Sequence, residues 1–144
     1  MPVFSPNQIL YPAFAMFALL VGVLIRMQVV RFGAVGRGEM DGRYYRIYQG
    51  GAEPKHMAVV TRHFSNLLEM PTLFYVGVIL VYVTRQVDFW MVGCAWAYVL
   101  VRYAHSFVHL TSNNVLTRFR LYLGSCIVLA VMWISLLWRL VANP

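Results

Sequence analysis

The chain has 144 residues, of which 60% are apolar and only 12% charged, with a net charge of +7. That balance excludes an ordinary soluble domain and leaves room for one domain, here taken as residues 1–144. The positive charge is unevenly spread and gathers in two segments of the chain, so orientation in a membrane accounts for it and nucleic acid is not needed as a partner.

Four long apolar blocks follow one another: Gln8 to Val30, Ser65 to Thr84, Phe89 to Leu110 and Leu121 to Val141. Each is close to the ~20 residues that cross a hydrocarbon core. The period-two alternation of a membrane β-barrel is absent, and runs such as FALLVGVLI and VGVILVYV are apolar all round. An all-α integral membrane protein with a four-transmembrane-helix bundle is predicted. No basic region precedes the first block and no small-residue cleavage site clearly follows it, so it is expected to stay as helix one.

Helix one should begin near Asn7 or Gln8 and break at the glycines of FGAVGRG. The long loop that follows, RGEMDGRYYRIYQGGAEP, is the segment with the length to act as a lid. Pro54 suits the start of helix two, well before its apolar part, and Pro71 should bend that helix near Leu67. The turn RQVD makes helices two and three antiparallel neighbours. Arg31 to Arg62 and the turn before helix four hold most of the positive charge. The positive-inside rule then puts both basic loops in the cytoplasm and both termini outside. Cys94 and Cys126 lie singly in different blocks without ligand spacing, and are expected to be packing residues.

Polar residues inside these blocks share one depth. Arg62, Asn66 and Glu69 stand on one face of helix two, and Arg102, His105 and His109 on one face of helix three. Arg118 and Tyr122 open helix four, and Arg26 lies in the same half of helix one. Each alone has a structural explanation: an arginine snorkels, a histidine bonds within the core, and Glu69 pairs with Arg102. Together they leave arginines in excess of carboxylates, which calls for an anion. His105 and His109 have a spacing that zinc accepts, but the cationic neighbours oppose a dication, so no metal is expected.

The pattern Arg62-x3-Asn66-x2-Glu69, Arg102-x2-His105 and Arg118-x3-Tyr122, on helices two, three and four of a four-helix layout, resembles the MAPEG family, the membrane-associated proteins of eicosanoid and glutathione metabolism. The resemblance implies a homotrimer that holds glutathione between adjacent subunits in the cytoplasmic leaflet. It implies that Arg37, Arg62, Asn66, Glu69, Arg102, His105, His109 and Tyr122 form or support the glutathione site, and that Arg118 holds the thiolate. The implied activity is glutathione-dependent transfer or peroxide reduction on lipophilic electrophiles arriving from membrane lipid. Ser65, His109 and Phe119 depart from the prostaglandin synthase branch, which carries Arg, Tyr and Ser there, so prostaglandin isomerisation is not expected. Two other functions stay open: a non-catalytic lipid- or ligand-binding protein, and a small proton-coupled exporter using Glu69. Length and the ending LVANP suit a bacterial inner membrane.

Overall fold

The computed structural model describes residues 5–41, 44 and 53–142. A single 3-10 turn, Pro6–Ile9, leads into α1 (Leu10–Gly36); α2 (Lys55–Val83), α3 (Phe89–Leu110) and α4 (Val115–Ala142) follow. No strand occurs among the described residues. Most of the segment proposed as a lid, residues 42–43 and 45–52, lies outside them.

The helix ends follow local chemistry. α1 passes through Gly33 rather than breaking there, and closes at Gly38, which takes φ +70°. The Gly38 N–H bonds Val35 O and the Glu39 N–H bonds Ala34 O, the paired bonds of a left-handed cap. Pro54 caps α2 from just outside its first turn. Asp88 accepts from the Met91 N–H at 2.9 Å to start α3, and Asn114 accepts from the Thr117 N–H at 3.0 Å to start α4. α2 runs on through Pro71, which has no N–H to offer Leu67 O; the next residue, Thr72, bonds back to Leu68 O through its hydroxyl.

Side-chain bonds give the helix directions. Arg26 reaches Leu110 O and Tyr103 reaches Ala15 O, so α1 and α3 run parallel. His63 with Ser106 and Arg102 with Asn66 set α2 antiparallel to α3, and Trp90 with Ser135 and His109 with Arg118 do the same for α3 and α4. α2 and α3 each touch all three other helices, whereas α1 and α4 do not meet. The outer helices therefore bury narrow stripes, Met16, Val23 and Met27 on α1 and Ser125, Leu129, Met132 and Leu136 on α4.

Three helices are long and apolar enough to cross a membrane: α1 with its leading turn, α2 and α4. This differs from the expected four. At ~1.5 Å per residue α3 is about 33 Å long, so length is not the obstacle. Arg102, His105 and His109 lower its hydropathy, and all three are buried. A helix this polar takes an inner position because its neighbours cover the groups that lipid would not solvate.

Large apolar side chains stay exposed on the outer faces, Phe14, Phe32, Phe107 and Trp138 among them. Where the surroundings are as apolar as leucine, close packing and hydrogen bonds have to join helices. Gly77 of α2 supplies one close approach, because a Cβ there would stand 2.6 Å from Met132 Cε and 3.3 Å from Trp133 Nε1 on α4. Gly77→Leu is expected to overpack this contact and destabilise the bundle by about 1–3 kcal/mol. Thermal unfolding in detergent, followed by tryptophan fluorescence, measures the loss; Met132→Ala on top of it should restore part.

Candidate functional site

One end of the bundle gathers the C-terminal turns of α3 with the N-terminal parts of α2 and α4. An open groove of about 330 Å³ lies there. Arg62 and Asn66 line it from α2, His105 and His109 from α3, and Val115, Arg118, Phe119 and Tyr122 from α4. Among the described residues no carboxylate lines it. Arg62 is exposed and Arg118 half-buried, so two guanidinium groups face a space able to take a small anion.

Behind the groove Arg102 is completely buried. Its Nη2 donates to Asn66 Oδ1 at 2.8 Å and to Asn66 O at 3.2 Å, while Nε and Nη1 are buried without a partner among the described residues. The guanidinium carbon stands 5.9 Å from the Tyr122 ring centroid. Asn66 thus joins the buried cation to the groove wall.

The expected pair of Glu69 with Arg102 does not form. The ion pairs among the described residues are Arg37 with Glu39, His56 with Glu39 and Arg139 with Asp88. At about 100° per residue, Asn66 and Glu69 differ by roughly 60° around α2, and Asn66 is the one turned to α3. Glu69 is exposed outside the groove.

Arg37 also stands outside the groove. Its Nε donates to Glu39 Oε1 just beyond the end of α1, and that bond holds the Glu39 carboxyl below its ordinary range. Arg26 is spent on the last carbonyl of α3. Of the residues singled out in the sequence, the groove unites Arg62, Asn66, His105, His109, Arg118 and Tyr122; Arg102 backs them, and Glu69, Arg37 and Arg26 lie apart.

Sequence reasoning passed over His63. It is completely buried, 4.6 Å between ring centroids from His109 and 5.6 Å from His105, and its Nε2 shares a 2.8 Å hydrogen bond with Ser106 Oγ. The signal was its spacing from Met57, Val60 and Leu67, the buried stripe of α2. Asn113, in the turn before α4, was missed as well; its Oδ1 accepts from Arg118 Nη1 at 2.7 Å. Among the described residues no group of three His, Cys, Asp or Glu is arranged to hold a metal ion.

Residues 9–138 match the family model described as MAPEG family. The chain belongs to the MAPEG family. With its apolar helices, that makes it an integral membrane protein, and family membership suggests a glutathione-related transferase or synthase function in the membrane. Comparison with curated proteins and with solved structures gave no match. The groove lies where α2, α3 and α4 of this MAPEG protein meet.

The Arg102 contact gives a stability test. Asn66→Ala removes the shorter of the two bonds to a buried cation, and is expected to cost about 1.5–3 kcal/mol, the range for a hydrogen bond to a charged group. The readout is the unfolding midpoint in detergent, where Glu69→Ala should move it far less.

Proposed function

We propose that this protein is a glutathione-dependent membrane transferase with peroxidase capacity, acting on lipophilic electrophiles, in which Arg118 stabilises the glutathione thiolate. The observation that carries this is the groove with Arg62 and Arg118 in its wall, Arg102 behind it, and, among the described residues, no carboxylate paired with any of the three. Glutathione brings two carboxylates and a thiol that becomes a third anion. Guanidinium groups bind carboxylates by paired N–H donors. A fixed cation beside the sulfur favours thiolate over thiol, and the thiolate is the nucleophile.

With an aryl halide, the thiol proton leaves to solvent, the sulfur bonds to the ring carbon, and halide departs with the bonding pair. With a hydroperoxide, two glutathione thiols are oxidised to the disulfide while ROOH is reduced to ROH and water. Phe119 and Val115 give the groove an apolar side toward the outer face of α4, the side from which a lipophilic substrate would arrive out of lipid.

In this proposal the protein is a homotrimer with glutathione between subunits, which gives Arg37 a way to serve a site that it does not reach within its own subunit. The site faces the cytoplasmic leaflet, consistent with the basic residues of the 31–62 segment and with Arg118 and Arg120 near the start of α4, and the membrane is a bacterial inner membrane. His109 and Phe119 remain this chain's own solution where the prostaglandin synthase branch has hydroxyls.

Purified protein should bind glutathione and conjugate a generic aromatic halide. Arg118→Ala should lower kcat/KM by about 100-fold, the scale of losing one electrostatic contact to a developing anion. Arg118→Lys should recover only part, since an ammonium offers no paired donors. Wild-type protein without glutathione binding would falsify the enzyme, and leave a lipid-binding role. Chemical crosslinking in detergent should stop at three subunits.

A further inference from the structure

The five N–H donors of Arg118 are not equivalent. Nη1 donates to Asn113 Oδ1 at 2.7 Å and contacts His109 Nε2 at 3.2 Å, so both of its hydrogens are engaged. Among the described residues Nε and Nη2 have no protein partner. On a guanidinium those two groups form the side-on edge, with parallel N–H bonds that grip an anion at two points.

We propose that His109 and Asn113 are positioning residues that hold Arg118 by Nη1 alone, so that its Nε–Nη2 edge is the one offered to the anion in the groove. This rests on Arg118 being the partner of the glutathione thiolate. A guanidinium has no acceptor, so His109 Nε2 has to present a lone pair. His109 is therefore neutral in this contact, with its proton on Nδ1, an atom that is buried and has no partner among the described residues.

The imidazole is held from the other side by His63 of α2, stacked at 4.6 Å with a 36° tilt, and edge-on by His105 at 5.7 Å. Ser106 pins His63 in turn at 2.8 Å. Asn113 takes φ +48°, the left-handed region that asparagine tolerates better than most residues. Its N–H bonds Val108 O at 2.8 Å, which closes the end of α3 while the side chain turns to Arg118. One acceptor thus comes from the last turn of α3 and the other from the turn joining α3 to α4. Arg118 is aligned by the same corner that sets those helices antiparallel.

The test has two arms on the full chain in detergent. The first uses no thiol: nitrogen-15 NMR of labelled histidines, with His109 assigned through His109→Gln. His109 is expected to carry its proton on Nδ1, and Arg118→Met should shift its Nε2 signal while leaving His56 in place. A proton on Nε2, or no response to Arg118→Met, overturns the proposal, and the wild-type tautomer is decided without any variant.

The second arm is steady-state conjugation of an aryl halide. His109→Leu should lower kcat by about tenfold with KM for glutathione changed by less than about threefold, and His109→Gln, whose amide oxygen is again an acceptor, should recover most of kcat. Equal losses in both variants, or a loss confined to KM, overturn the positioning role. If wild-type protein binds no glutathione the function above fails by itself, and the NMR arm still decides the Arg118–His109 contact.

Discussion

A completely buried guanidinium has to be hydrogen-bonded or it destabilises what surrounds it. Arg102 meets this condition at Nη2 and without a carboxylate, while its Nε and Nη1 have no partner among the described residues. Asn66 gives Nη2 both a backbone carbonyl and a side-chain oxygen, so α2 and α3 are bound at one height by a cation that these neutral acceptors do not neutralise. A neutral partner leaves the positive potential in place. Arg62 and Arg118 add to it a few turns away at the groove, which is why that end of the bundle suits an anion.

Much of the bundle follows from covering polar groups that lipid would not solvate. α3 carries Arg102, His105, Ser106 and His109 along one buried face, and it takes an inner place, touching the other three helices. α1 and α4, whose polar demands are small, sit at opposite sides and keep broad apolar surfaces exposed. Because burial of one apolar chain against another gains little in lipid, the joints between helices are hydrogen bonds and close contacts: Tyr103 to Ala15, His63 with Ser106, Trp90 to Ser135, and the approach of Gly77 to Met132.

The groove inherits its order from these joints. Asn66 faces inward because it satisfies Arg102, and Glu69, about 60° around the same helix, is turned away. Tyr122 stands over the Arg102 guanidinium from α4. The histidines pack ring against ring between α2 and the end of α3, and Arg118 reaches back from the first turn of α4 to that wall.

The sequence alone determined the all-helical class, the four helices to within a few residues at most ends, and the band of polar residues at one depth. These follow from hydropathy and the period of 3.6, both properties of a single segment. It also carried the resemblance to the family, through the spacing of Arg62, Asn66, Glu69, Arg102, His105, Arg118 and Tyr122 along the chain. Only the tertiary structure decided which polar residues meet. Spacing gives angle and height on one helix, but not which neighbour stands opposite. Asn66 rather than Glu69 therefore became the partner of Arg102, and His63, one more residue on an apolar stripe in the sequence, became part of the wall behind the groove. Asn113 reads as an ordinary turn residue until the fold brings Arg118 within 2.7 Å of it. A bond between residues on different elements exists only once those elements have packed.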